Sequence, residues 1–144
     1  MHEQSTPDEE HQDPPGVDDA TIEAVGRLTE ALETVERARG HLYSFHQLSG
    51  EADFKIGDAV DQLRAAGHTE LADSLSRRIV GRNVLPGRWT FQVVEEYDDG
   101  YWQPLRDAER EVRDELVEGR RHLAESQLKE ERRTHGHPGH ARRP

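Results

Sequence analysis

Apolar residues recur every three or four positions along residues 25–45 and define the first predicted helix. At 100° per residue, seven of them fall within an arc of roughly 160°, and these are Val25, Leu28, Leu32, Val35, Ala38, Leu42 and Phe45. Asp18 or Asp19 can cap the free N–H groups at the start. The pattern continues to about Leu48, and Ser49-Gly50 is expected to end the helix.

Three further helices follow from the same spacing. The second is predicted over residues 51–66 and the third from Thr69 to Val80, each ending at a glycine. After Pro104, a last long helix is expected to run to about Arg133. Its apolar stripe contains Leu105, Ala108, Val112, Leu116, Gly119 and Leu123. The sequence therefore predicts an all-α fold, an antiparallel helical bundle of two long and two or more short helices.

The segment Arg82–Trp102 fits two secondary structures. With a period of two, Trp89, Phe91 and Val93 share a face, and Asp99-Gly100 is suited to a hairpin turn. With a period near four, Trp89, Val93, Tyr97 and Tyr101 line one side of a helix. The helical neighbours favour the helix, and a short hairpin at 89–102 stays the alternative.

Composition separates this helical region from two polar ends. Only 32% of the 144 residues are hydrophobic, and the formal net charge is −11. Residues 1–20 hold seven acids and neither Lys nor Arg, while residues 134–144 offer almost nothing apolar to bury. The expected organisation is a disordered acidic arm at 1–17, a helical domain at 18–133 and a disordered His/Arg-rich tail at 134–144.

The same composition excludes several classes of protein. No apolar run is long enough for a transmembrane helix, and the N-terminus lacks the basic and apolar regions of a secretory signal. The absence of cysteine excludes disulfides and thiolate metal sites. The acidic balance makes a nucleic-acid partner improbable, because phosphate binding needs clustered Lys and Arg. A cytoplasmic protein without a membrane partner is expected.

Polar residues lie on the apolar faces of the two long predicted helices. Arg39 and His46 project into the apolar arc of the first, whereas Glu115, Glu118 and His122 lie beside the stripe of the last. If the helices pair, these groups are expected to meet. They then form either an ion-pair network that fixes the register or a divalent transition-metal site whose candidate ligands are His46, Glu115, Glu118 and His122.

Aromatic and basic residues concentrate between residues 77 and 102. Arg77, Arg78, Arg82 and Arg88 have no acid among them, and four acids follow at 95–99. Both tryptophans and two of the three tyrosines are also here. The residues either fill the core and pair internally or form a partner-binding surface. The candidates for that surface are Arg82, Arg88, Trp89, Tyr97, Tyr101 and Trp102.

The C-terminal tail offers a second metal hypothesis. His135, His137 and His140 stand close together in the sequence HGHPGH, and imidazoles on a flexible segment bind Zn²⁺, Ni²⁺ or Cu²⁺ weakly. The alternative is a polar terminus without a ligand, because nothing in the sequence preorganises the three rings.

The stretches GRNVLPGRWTFQVVEEYDDGYW and GRRHLAESQLKEERRTHGHPGH resemble a family of small uncharacterised proteins from actinobacteria. The resemblance extends over roughly residues 42–140. It implies a bacterial cytoplasmic origin and adds no catalytic residue, because no activity is assigned to that family.

These features favour a non-enzymatic interaction or regulatory protein that uses Arg82–Trp102 to bind a protein partner or a second copy of itself. Nucleophile triads and phosphate-binding glycine motifs are absent from the sequence. No cofactor is expected under this hypothesis. The alternatives are a helical-bundle protein that binds a divalent transition metal through His and Glu ligands, and an enzyme whose anionic substrate binds the arginine cluster.

Overall fold

The computed structural model describes residues 6–142, and its main elements are α-helices. These are α1 (Asp19–Ala65), α2 (Thr69–Arg78), α3 (Thr90–Tyr97), α4 (Gln103–Val117) and α5 (Leu123–Arg132). The predicted all-α fold is therefore confirmed. Within the described residues, no helix combines the length and apolar character needed to cross a bilayer.

Helix α1 begins where the sequence predicts but does not end at Ser49-Gly50. Asp18 accepts a hydrogen bond from the Thr21 amide at 2.8 Å, which caps the helix. The Thr21 side chain and, to a smaller extent, the Thr21 amide lower the pKa of Asp18. The helix then continues through Gly50 to Ala65. The predicted break is wrong because one helical glycine costs only about 1 kcal/mol, which the turns on either side can outweigh.

The segment after Trp89 is helical, so the alternative hairpin does not form. Helix α3 leads into a π-helical turn at Asp98–Trp102, and α4 follows directly. Asp99-Gly100, the pair suited to a hairpin turn, is thus accommodated in the π-helical turn. Such turns are rare and occur mostly as single interruptions of α-helices.

The last predicted helix is interrupted between α4 and α5. Glu118, Gly119 and His122 all have φ between 56° and 71°, which is the left-handed region and ends an α-helix. The predicted stripe on α4 is also rotated by one residue. Val117 is fully buried while Leu116 is 46% exposed.

The chain divides into two compact units. The terminal unit contains residues 6–34 and 104–142, and the central unit is Val35–Gln103. The core of the terminal unit consists of Ile22, Val25, Val117 and Leu123, against which Val17, Val112 and Ala124 pack. Gly26 lies so close to α5 that a Cβ atom there would be 2.7 Å from the Ala124 Cβ.

A buried ion pair lies beside this small core. Arg113 Nε donates to Glu109 Oε1 at 3.0 Å, and Arg113 Nη2 donates to Glu109 Oε2 at 3.3 Å. The Thr29 hydroxyl also donates to Glu109 at 3.1 Å, and Arg113 Nη1 donates to the Gly119 carbonyl at 2.8 Å. The network thus joins α1, α4 and the left-handed turn that follows α4.

In the central unit, three polar contacts set the register between α1 and residues 81–98, which run antiparallel to it. Arg39 forms a two-point ion pair with Asp98 at 2.7 and 2.9 Å. One heptad further along, His46 is 2.7 Å from the Thr90 hydroxyl. After another heptad, Asp53 accepts a hydrogen bond from the Gly81 amide at 2.8 Å. The partners move backwards along the chain as α1 advances.

These contacts correct the pairing expected from the sequence. Arg39 pairs with Asp98, and His46 with Thr90, where Glu115, Glu118 and His122 were predicted as partners. The Arg39 guanidinium also lies 4.2 Å above the Trp102 ring centroid, a cation–π arrangement. Arg39 therefore fixes helix register through Asp98.

An Asp98→Asn variant is expected to lose about 1 kcal/mol of stability at neutral pH, because the ion pair is only half-buried. Arg39 holds the pKa of Asp98 below its ordinary value. The carboxylate therefore stabilises the fold above that ordinary value, about 3.9, and this contribution is lost as pH falls through the folded-state pKa. Urea unfolding should show that the difference in the free energy of unfolding between Asp98→Asn and wild type is smaller at pH 3 than at pH 7. A constant difference would contradict the assignment.

Both predicted polar ends make contacts in the described residues. Arg120 donates to the carbonyls of Glu9 and Gln12 at 3.1 and 2.8 Å. The Gln127 amide donates to Asp13 at 2.9 Å. These contacts attach residues of the acidic arm to the terminal unit, while the disorder of the arm as a whole stays a prediction.

The tail is held chiefly by Glu130. Its carboxylate accepts from Arg133 at 2.6 Å and from Arg142 at 2.7 Å, and Arg142 also donates to Ser126 at 3.0 Å. The arginines lower the pKa of Glu130, with Arg133 making the largest contribution. The disorder predicted for residues 134–144 likewise stays a prediction.

Candidate partner-binding groove

A groove of about 210 Å³ opens on the central unit, between α1 and the loop that joins α2 to α3. One side of the groove is formed by Ser49, Gly50 and Asp53 of α1, and the loop forms the opposite side. The lining residues from the loop and the start of α3 are Gly81, Arg82, Asn83, Val84, Trp89 and Thr90. We call this cavity the Trp89 groove.

Glycine keeps the α1 side of the Trp89 groove open. A Cβ atom built at Gly50 would meet no atom within 4 Å, so the space beside the backbone is open at this lining residue. Because glycine is about 1 kcal/mol less favourable than alanine inside a helix, the small residue costs stability and leaves open space. The sequence interpretation missed Gly50 as a site residue because it placed a helix end there.

The opposite side of the groove is a constrained loop. Pro86-Gly87 occupies the centre of a tight turn in which the Arg88 amide donates to the Leu85 carbonyl at 3.0 Å. Gly87 has φ of 71°, as the third position of a type II turn requires. The Trp89 amide then donates to the Gln92 side chain at 2.9 Å. Turn and capping contact together fix the backbone that carries Trp89.

Two hydrogen-bonded pairs attach the groove to the rest of the unit. Asp53 is bound to the Gly81 amide, as described above, which fixes the start of the loop against α1. Thr90 at the other end is bound to His46, whose ring also contacts Tyr43 edge-on. These two contacts hold both ends of the groove's loop side against α1.

The arginines near the groove differ in their partners. Arg88 forms an ion pair with Glu96 at 2.9 Å. Arg78 donates to Ser74 at 3.1 Å. Arg82 lines the groove, and within residues 6–142 its guanidinium forms neither an ion pair nor a hydrogen bond. It is thus available to a ligand.

Most of the exposed large apolar side chains belong to the central unit, which carries the groove. Among the described residues, eleven of the thirteen exposed large hydrophobics belong to the central unit. Trp89 is 60% exposed and packs edge-to-face on Phe91 at 5.2 Å between ring centroids. Contiguous apolar surface is typical of interaction sites, and the Trp89–Phe91 pair provides such surface beside the groove. The eleven are Tyr43, Phe45, Leu48, Phe54, Leu71, Val80, Val84, Leu85, Trp89, Phe91 and Tyr101.

The structure separates the six predicted partner-binding residues. Only Arg82 and Trp89 line the groove. Tyr97 and Tyr101 contact each other at 5.5 Å between ring centroids, and Trp102 lies beneath Arg39. Whether these three aromatic residues or Arg88 contact a partner stays a prediction.

The metal-ligand candidates acquire different neighbours from those expected. His122 forms a cluster with Glu33 and Glu125 in which the possible ligand atoms lie within 4.8 Å of one another, and all three residues are exposed. Glu118 instead pairs with Arg120 at 2.9 Å, and Glu115 is exposed. His46 belongs to the other unit and binds Thr90.

Two tail histidines use their Nδ1 atoms within the chain. His137 Nδ1 accepts from the Gly139 amide, and His140 Nδ1 accepts from the Thr134 amide, both at 3.0 Å. In a neutral ring whose Nδ1 accepts, the proton lies on Nε2. Metal binding through either nitrogen would thus require a change of hydrogen bond or tautomer. His135 lies 3.4 Å from Glu130.

Fold and groove together define a small helical protein with a partly apolar groove, lined by an arginine that pairs with none of the described residues. The sequence matches no protein-family model, and neither the curated proteins nor the solved structures contain a significantly similar chain.

Proposed function

We propose that this protein is a non-enzymatic interaction module whose central unit binds a segment of a partner protein in the Trp89 groove. The groove carries the proposal because it is a cavity next to an exposed tryptophan, on the unit that displays most of the exposed aromatic surface. Tryptophan and arginine are the residues most enriched at the energetic centres of protein interfaces.

The size of the cavity supports a peptide side chain as ligand. Sites for cofactors and drug-sized molecules usually enclose about 300–1,000 Å³, whereas this groove encloses about 210 Å³. One large apolar side chain fits such a volume. A preformed groove also loses less conformational entropy on binding than a loop that must be ordered.

The chemistry of the lining favours binding over catalysis. The hydroxyl of Thr90 is within hydrogen-bond distance of His46, which resembles two members of a nucleophile–base–orienter set. The third member would be an acid held on the imidazole, and within residues 6–142 no carboxylate lies within ion-pair distance of His46. The pair is therefore assigned to positioning α3 on α1.

Filling the groove should abolish partner binding without loss of the fold. Gly50→Leu adds a side chain at a lining residue of the groove, where a Cβ atom meets no neighbour within 4 Å, and it improves helix propensity. We expect a photo-cross-linking amino acid at Leu85, on the groove's rim turn, to capture a discrete partner in cells. Adduct formation should fall at least about tenfold in Gly50→Leu, as expected for the loss of one apolar anchor.

The matched control is Gly40→Leu, the same substitution in the same helix at a site that also meets no neighbour and does not line the groove. It should leave the adduct unchanged. Circular dichroism and thermal unfolding establish that both variants are folded. Undiminished adducts in a folded Gly50→Leu protein would refute the groove as the binding site.

A further inference from the structure

We infer that the segment bound in the Trp89 groove is acidic: an apolar side chain enters the cavity, and a neighbouring carboxylate of the partner pairs with Arg82. This inference rests on the proposed function and specifies the chemistry of the partner. Its basis is the juxtaposition, in one groove, of an exposed indole and a guanidinium that has no partner among the described residues.

The charges of the groove favour an anion at Arg82. The lining contains two charged side chains, Asp53 and Arg82. The Asp53 carboxylate already accepts the Gly81 amide at 2.8 Å, which disperses part of its charge, whereas Arg82 is uncommitted. An incoming carboxylate therefore gains a charge-assisted contact at Arg82, and a cation would meet that guanidinium at short range.

The sequence around the groove strengthens this preference. Residues 77–94 contain four arginines and no acid. Within residues 6–142, Arg88 is the one of the four that forms an ion pair, with Glu96. Arg77 forms neither an ion pair nor a hydrogen bond through its side chain to any residue in 6–142. Of these arginines, Arg82 lines the groove, so it supplies the positive charge on the loop side in a chain whose net charge is −11.

The apolar part of the lining favours an apolar side chain next to the carboxylate of the partner. Val84 and Trp89 line the cavity together, and Trp89 is exposed over most of its surface. A free carboxylate alone would leave this apolar surface in water. A peptide in which an aliphatic or aromatic residue adjoins Asp or Glu satisfies both parts at once.

The test is a selection of random peptides displayed on phage against the full-length protein. We expect enrichment of sequences that place Asp or Glu next to an aliphatic or aromatic residue. For a synthetic peptide of the enriched sequence, calorimetry should show about tenfold lower affinity in Arg82→Gln, because one charge-assisted pair is lost. The affinity of the wild-type protein, which keeps that pair, should fall as NaCl increases. Arg77 pairs with none of the described residues and does not line the groove, so Arg77→Gln is the matched control and should bind as wild type.

The outcomes separate the two proposals. Enriched peptides that lack acids, or whose affinity is unchanged in Arg82→Gln while Gly50→Leu abolishes it, would overturn the acidic partner and leave the groove as a binding site. Peptides that bind equally well to Gly50→Leu, or no enrichment at all, would refute the groove itself. If the wild-type protein sediments as a dimer that Gly50→Leu dissociates, a second copy occupies the groove and a distinct acidic partner is excluded.

Discussion

An Arg113→Met variant is expected to lose about 3–5 kcal/mol of the free energy of unfolding, the usual cost of breaking a buried ion pair from one side. Only 8% of Arg113 and 5% of Glu109 is exposed. Methionine retains much of the volume of the arginine stem, so the effect isolates the missing charge. The Glu109 carboxylate would remain buried with the Thr29 hydroxyl as its remaining side-chain donor.

The loss also reaches the turn after α4. Arg113 Nη1 donates to the Gly119 carbonyl, in a turn where two non-glycine residues, Glu118 and His122, have left-handed backbone. Such conformations cost free energy and persist when surrounding contacts enforce them. Removing Arg113 therefore weakens both the ion pair and the contact that stabilises this turn.

Urea unfolding followed by circular dichroism measures the effect. The double variant Glu109→Leu, Arg113→Met should recover much of the loss, because apolar replacement of both partners leaves no buried charge. Lys55→Met is the matched control: Lys55 also pairs with a glutamate four residues away, Glu51, but both side chains are exposed. It should change stability by less than about 0.5 kcal/mol. Equal effects at Arg113 and Lys55 would contradict a desolvated pair.

Periodicity predicted where helices form better than where they end. Asp18 and the apolar spacing were sufficient to locate the start of α1, because capping and amphipathicity are local properties. The helix continues past Gly50 because one unfavourable residue is outweighed by the turns around it. Conversely, the break after Val117 is accompanied by a hydrogen bond from Arg113 to the Gly119 carbonyl, a contact that residue spacing does not reveal.

The buried face of α4 shows why a polarity pattern misassigned side chains. Leu116 was assigned to the stripe by its hydrophobicity, yet it is exposed, while Glu109 and Arg113 are buried. The two charges neutralise each other at i and i+4 on one helix. That mutual compensation permits a charged pair to occupy positions that a binary pattern reserves for apolar residues.

Half of the groove was predictable from composition. Trp89 and Arg82 lie in the segment where aromatic and basic residues concentrate, and both line the cavity. Ser49, Gly50 and Asp53 were not predictable as its other side. They are some 30 to 40 residues away in the chain, and they meet the loop because the register of α1 is set by contacts such as Asp53 with Gly81.

A Gly26→Ala variant is expected to lose about 1–2 kcal/mol, although alanine is the better helix former. A Cβ atom at this position would be 2.7 Å from the Ala124 Cβ, well inside contact distance, and the Ala124 methyl has no rotamer by which to move aside. Overpacking of this kind costs about 1–3 kcal/mol, against a gain of about 0.5–1 kcal/mol from helix propensity. Leu123, next to Ala124, belongs to the core, so a displaced α5 would loosen the packing of the terminal unit.

Gly40→Ala provides the matched comparison, because a Cβ atom there meets nothing within 4 Å. That variant should gain about 0.5–1 kcal/mol, so one substitution in one helix is expected to have opposite signs at two positions. Adding Ala124→Gly to Gly26→Ala should restore part of the lost stability by removing the opposing methyl. Thermal unfolding of the wild-type protein, the two single variants and the double variant measures these changes in stability. A gain in stability at Gly26 equal to that at Gly40 would show that α1 and α5 do not approach as closely as the Gly26–Ala124 contact requires.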